Sequence, residues 1–255
     1  MHARANSPDM ALLEVRGAHV RFGGHAAVRD VDLDVEAGQI TGLIGPNGAG
    51  KTTLFNVITG LQETVSGRVI LDGKDLTSAK AHVRARAGIA RTFQRLEVFG
   101  SLTARENILT AAEIRQSWAH NRHGDPAKET DQLLERVGIR SVAHERVDAM
   151  PTGLARLVEL ARALATQPKV LLLDEPASGL DDSESDSFAH LLLELAGEGM
   201  AILLVEHDVQ LVMKVCAHIH VLDFGAILAV GTPAEIQQNA AVLDAYLGSH
   251  VEETA

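Results

Sequence analysis

Residues Gly45-Pro46-Asn47-Gly48-Ala49-Gly50-Lys51-Thr52-Thr53 fit the pattern G-x-x-x-x-G-K-[ST]. A triphosphate needs several backbone N–H groups converging on it, and glycines let a chain make that approach. A helix starting at Lys51 would add its positive dipole end and its unpaired N–H groups. Lys51 can then reach the β- and γ-phosphates, and the Thr52 hydroxyl can ligate Mg2+. Three further polar positions follow apolar runs: Gln94, Asp174-Glu175 and His207. Asp174 suits a carboxylate that holds Mg2+ beside the loop hydroxyl, and Glu175 is placed to polarise an attacking water. His207 supplies a polar group for the developing charge. The chain is therefore expected to bind and cleave a nucleotide.

The elements that must position these groups are legible as patterns. Ile40–Ile44, Lys169–Leu173 and Ala201–Val205 are apolar runs of the kind found in strands buried on both faces. Leu12–Phe22 and Val31–Val35 alternate as half-exposed strands around a turn at Gly23-Gly24-His25. Phe22, just before that turn, is read either as a base-stacking aromatic or as a strand residue of the core. Strands are also expected at Gly67–Leu71, Gly88–Phe93, His218–Leu222 and Ala226–Val230, and a short basic helix at Ala79–Ala87. From Arg95 to Ala165 the period is helical. Thr103-x-x-Glu106 is a capping box opening a helix to Trp118, a polar break covers His120–Asp125, and a second helix spans Ala127–Val137. A third carries Leu154, Leu157, Val158, Ala161, Leu164 and Ala165 on one stripe. Asp181–Asp186 forms an acidic first turn of another helix, and Thr232-Pro233-Ala234-Glu235 is a second capping box. This describes a helical lobe inserted into an α/β core.

Composition narrows the function classes. The formal net charge of −11 opposes nucleic-acid binding and adsorption to anionic lipid. A single cysteine, Cys216, rules out an internal disulfide and any thiolate metal site, as in a reducing cytoplasm. No signal-peptide core is read in Met1–Met10, and no apolar run reaches membrane-spanning length. His218-x-His220 is explained by strand alternation, so Mg2+ is the only metal expected.

These motifs, in this order, resemble the nucleotide-binding subunit of an ABC transporter from about Leu12 to Gly248. The resemblance implies an α/β fold: a P-loop NTPase core with a small antiparallel β subdomain and an inserted helical lobe. Residues 1–10 would be a disordered tail and 11–250 a single domain, with the core at about 11–94 and 166–250 and the lobe at about 95–165. Phe22 matches the adenine-stacking aromatic, Gly45–Thr53 Walker A, Gln94 the Q-loop, Asp174 Walker B and Glu175 the catalytic base. Ser178-Gly179-Leu180-Asp181 matches the D-loop and His207 the switch histidine. Two such domains would sandwich two ATP molecules, each between the Walker motifs of one and the signature of the other. The signature departs from L-S-G-G-Q: here it is Met150-Pro151-Thr152-Gly153-Leu154. Gly153 is retained, Pro151 removes a hydroxyl and a backbone donor, and Thr152 is the candidate replacement. One weaker site in a heterodimer, or a slow homodimer, is expected.

Arg21-Phe22-Gly23-Gly24, Leu54–Gly60, Ala90-Arg91-Thr92-Phe93-Gln94, Val205–Asp208, Gly231–Ile236 and Ala245–Gly248 resemble branched-chain amino-acid uptake ATPases. Urea and amide importers and lipopolysaccharide-export ATPases are similar. The resemblance implies an integral-membrane permease, a solute-binding protein, and a cytoplasmic position at the inner face of the membrane held by the permease. The apolar loop residues Val98, Phe99 and Leu102 are expected to line the docking groove. A nucleotide-binding regulatory module with weak hydrolysis is the alternative.

Overall fold

The computed structural model describes residues 11–118 and 124–245. The tail expected at 1–10, most of the break after Trp118 and the final segment beyond Ala245 lie outside the described residues. The chain runs through β1 (Leu13–Phe22), β2 (His25–Val35), β3 (Ile40–Ile44), α1 (Lys51–Thr59), β4 (Ser66–Leu71), β5 (Lys74–Asp75), α2 (Ala81–Ala87) and β6 (Ile89–Arg91). Three helices follow: α3 (Ala104–Trp118), α4 (Pro126–Arg136) and α5 (Thr152–Ala165). It continues with β7 (Val170–Asp174), α6 (Asp182–Gly197), β8 (Ala201–Val205), α7 (Val209–Val215), β9 (His218–Asp223), β10 (Ala226–Gly231) and α8 (Pro233–Gln237).

Two sheets form. One is antiparallel, in the order β2-β1-β4-β5. The other is in the order β10-β9-β3-β8-β7-β6, parallel except for β10 at its edge. Side chains alternate across the parallel sheet with period two. Val170, Leu172, Leu203 and Val205 face a core shared with α1 and the antiparallel sheet. Leu171, Leu173, Ile202 and Leu204 face a second core shared with α5, α6 and α7. Strands sealed on both faces explain the unbroken apolar runs of β7 and β8, and β7 carries its one polar residue, Asp174, at its end.

The local signals acted where expected at both capping boxes. Thr103 Oγ1 accepts from Glu106 N while Glu106 accepts from Thr103 N, and Thr232 and Glu235 do the same. Several boundaries moved. β2 begins at His25 instead of Val31, because Asp30 takes φ 49° and shifts the register, leaving Val28 and Val31 buried three residues apart. That bulge breaks the alternation by which a strand is recognised. β6 stops at Arg91; Thr92 N still bonds Leu172 O, after which the chain leaves the sheet. α7 was not anticipated: Asp208 caps it by accepting from Gln210 N and Leu211 N, and only about two turns of apolar residues mark it. α5 is buried well beyond its apolar stripe, and Arg156 and Glu159 are enclosed with it.

His220 lies on β9 between Leu43 of β3 and Val230 of β10. Its Nδ1 has no hydrogen-bond partner among the described residues, and burial pushes its pKa down to about 4. Asp34 favours the proton and His218 opposes it. The unfolded chain takes up this proton near pH 6.5 and the folded chain only near 4, so folding is weakened as pH falls through that window. The loss should approach about 3 kcal/mol at pH 4. Denaturant titrations at pH 7 and pH 4.5 should show it, and His220→Leu should reduce the difference.

Candidate functional site

The P-loop joins the end of β3 to α1. Gly45 (φ 155°) and Gly50 (φ 106°) both have positive φ. A Cβ on Gly45 would lie 2.0 Å from Leu222 O, and one on Gly50 2.4 Å from Ala27 O. These two glycines therefore serve the packing of the loop between β9 and β2. The Cβ position of Gly48 meets no atom within 4 Å, so no protein neighbour demands a glycine there. Ala49 O accepts from Gly225 N at 3.0 Å, so the β9–β10 turn braces the loop. α1 starts without a side-chain cap and without an acid in its first turn, which leaves its positive end uncompensated. Lys51 is only 8% exposed, and Nζ donates to Gly45 O (2.7 Å) and Pro46 O (3.0 Å). Burial lowers its pKa, and the charges of Glu175 and Asp174 oppose that.

Parallel order brings the carboxyl ends of β3, β6, β7 and β8 to one edge, the place where open α/β sheets bind ligands. Asn47 to Thr53, Gln94, Asp174, Glu175 and His207 line a single cavity of about 250 Å³ there. Glu175 takes φ 51°, unusual for a carboxylate residue and typical of a strained functional position. Its Oε1 accepts from Gln94 Nε2 (3.1 Å) and lies 2.8 Å from His207 Nε2. Three residues expected on separate strand ends thus converge on one carboxylate oxygen. Thr52, Gln94 and Asp174 offer hydroxyl, amide and carboxylate oxygens on the same cavity, a hard donor set suited to Mg2+.

Two positioning residues escaped the sequence reading. Arg91 donates to Asp174 Oδ2 (2.8 Å) and to Asn56 Oδ1 (2.5 Å), and it lies over the rings of Phe93 (4.7 Å) and Phe55 (5.3 Å). Burial pushes the Asp174 carboxyl up, and Arg91 and Lys51 counter it. Glu206, 7% exposed, accepts from Ala177 N and His207 N and so ties the loop after β7 to the one after β8. Burial raises its pKa. Arg91 carried a signal, being a cation on a short strand before Gln94; Glu206 was visible only as the neighbour of His207.

The remaining expected residues lie away from this cavity. Phe22 is half exposed beside the β1–β2 turn, the surface-exposed one of the two placements open from sequence. Thr152 and Gly153 open α5 after Pro151 and pack on the D-loop of the same chain: Thr152 Cβ lies 3.3 Å from a Cβ built on Gly179. Asp181 Oδ1 accepts from Glu184 N (2.8 Å) and caps α6. Val98 and Phe99 line a larger groove of about 620 Å³ with Leu61, Ile89 and Ala111. Leu102 is not among its lining residues; it turns back through Leu102 N to Phe99 O.

Arg91→Ala would leave Asp174 buried without its partner, and urea unfolding should show a loss of about 3–5 kcal/mol. Arg91→Lys, which keeps the charge, should lose clearly less.

A family model described as "ABC transporter" matches residues 28–178. A second, described as "Branched-chain amino acid ATP-binding cassette transporter", matches residues 226–252. The high-affinity branched-chain amino acid transport ATP-binding protein BraF of Pseudomonas aeruginosa is 41% identical, covering 93% of this chain and 98% of the relative. The lipopolysaccharide export system ATP-binding protein LptB of Escherichia coli K12 is 35% identical, covering 94% of this chain and 98% of the relative. Among solved structures, a nucleotide-free ATP-binding cassette from an ABC transporter superposes with a TM-score of 0.84 at 29% identity, covering 93% of this chain and 99% of that one. With a family model matched over more than half its length and relatives aligned almost end to end, the chain belongs to the ATP-binding proteins of ABC transporters.

Proposed function

We propose that this chain is the ATPase that energises uptake of branched-chain amino acids through a separate permease. The observation that carries the cargo is the match at residues 226–252 to the branched-chain family, together with the end-to-end likeness to BraF. Among the described residues no helix is long and apolar enough to cross a membrane, so a transport role would need a second, membrane-embedded chain.

Within this reading the backbone donors around Gly48, the start of α1 and Lys51 hold the phosphates of ATP. Lys51 would exchange its carbonyl partners Gly45 O and Pro46 O for phosphate oxygens. Thr52, Asp174 and Gln94 would hold Mg2+, which supplies charge neutralisation on the phosphates. Glu175 orients the attacking water and draws its proton, while His207 and Gln94 fix the carboxylate. Phe22 stacks on the adenine. Thr152, Gly153 and Asp181 face the nucleotide of a second ATPase, in a homo- or heterodimer. The groove at Val98 and Phe99 receives the permease, which also engages a solute-binding protein and keeps the chain at the inner membrane face.

Purification of the tagged protein from native membranes should recover a multi-span permease and a second, similar ATPase. A branched-chain amino acid should then raise hydrolysis by the complex. Recovery of a lipid-export permease would overturn the cargo, and recovery with no membrane partner would overturn the transport role. Glu175→Gln should cut turnover by a factor of about 10²–10⁴ while leaving ATP binding intact. Unchanged hydrolysis in that variant removes Glu175 from the role of base.

A further inference from the structure

Arg84 of α2 is a cation enclosed in the core, 4% exposed, and its hydrogen bonds go to main-chain oxygens alone. It donates to Val57 O (2.6 Å), Ile58 O (2.9 Å), Ala79 O (2.9 Å) and Thr77 O (2.7 Å). The enclosed side chains of Arg91 and Arg156 differ, being bonded to Asp174 and Glu159. Asp75 of β5 favours the charge on Arg84, but it is exposed and already accepts from Thr77 N at 2.8 Å, so water screens it. Burial lowers the Arg84 pKa, yet a guanidinium keeps its proton in proteins. Val57 and Ile58 belong to the last turn of α1, the helix whose first residues are Lys51 and Thr52, and that turn has no basic residue of its own. Gly60, at φ 76°, ends the helix and leaves room for the guanidinium: a Cβ there would lie 2.8 Å from Arg84 Nε. A neutral amide would satisfy some of these carbonyls without burying a charge, the most costly group to take out of water.

We infer that the Arg84 charge strengthens phosphate binding from the far end of α1: it cancels the negative end of the helix dipole and adds its own field toward an anion at the positive end. Arg84 touches no reacting atom and acts only through α1. A helix of nine residues is about 13 Å long, which puts the charge about 16 Å from a phosphate held at Lys51. The path runs along Leu54, Phe55, Val57 and Ile58, all buried, so salt screens it less than it would a surface pair. With an effective dielectric of about 40, one charge at that distance changes affinity by a factor of about 2–3 for each net negative charge on the ligand. The product is about sixfold for MgATP, with about two net charges, and about thirtyfold for Mg-free ATP, with about four. A purely geometric clamp on α1 would treat the two ligands alike.

This role rests on the reading that the start of α1 receives the phosphates of ATP, and titration calorimetry on the purified full-length chain separates the two. Arg84→Gln removes the charge and keeps a donor. It should weaken MgATP by about sixfold and Mg-free ATP by about thirtyfold, so the ratio of the two affinities shifts about fivefold. Arg84→Lys keeps the charge and loses the planar fork. It should hold both affinities within about twofold of the parent, even though urea unfolds it earlier. Equal weakening of the two ligands in Arg84→Gln, or no weakening at all, overturns the electrostatic role. Should Arg84→Gln fail to fold, Arg84→Lys decides alone: retained affinity supports the charge, and a loss of about tenfold for both ligands leaves only a clamp and overturns it. A parent chain that binds neither ligand overturns the phosphate reading and this role together, whereas a parent that binds both tests the role by itself.

Discussion

A carboxylate buried at a strand end costs several kcal/mol unless a cation accompanies it, and the pairing of Asp174 with Arg91 is how this protein meets that constraint. The partner is itself immobilised. Asn56 of α1 holds one guanidinium nitrogen, and the rings of Phe55 and Phe93 flank the group. One ion pair thereby ties β6, β7 and the phosphate-loop helix at a fixed spacing. Lys51 adds a second positive charge to the same region. The site is thus balanced in charge and rigid on its core side.

On the opposite side the design changes. Glu175 is reached by Gln94 and His207, which hang from segments that leave the sheet. Glu206 joins the segments after β7 and β8 through backbone donors. Gln94 is anchored from the lobe by Arg156 instead. The carboxylate at φ 51° is therefore gripped by groups belonging to two bodies, one packed on the sheet and one on α5.

Much of this was legible in the chain, and for definite reasons. The loop at Gly45–Thr53, the capping boxes at Thr103 and Thr232 and the buried runs of β3, β7 and β8 are local signals, set by backbone geometry within a few residues. Gln94, Asp174, Glu175 and His207 stood out because polar residues ending apolar strands have few structural uses. Where long-range packing decides, the reading failed. The start of β2 was hidden by a bulge at Asp30, α7 by its brevity, and the packing constraint on Gly45 and Gly50 by neighbours from β9 and β2.

The sequence by itself determined the strand and helix periods, the phosphate-binding loop and the set of polar residues available at strand ends, because each depends on residues close together in the chain. Tertiary structure alone decided that Arg91 neutralises Asp174, that Gln94 and His207 meet on one oxygen of Glu175, and that a loop is held by α5. Those contacts join residues 83, 81, 32 and 62 positions apart, and nothing in their own surroundings names the partner. Only the parallel order of the sheet and the fold of the lobe onto it bring such charges within hydrogen-bonding reach.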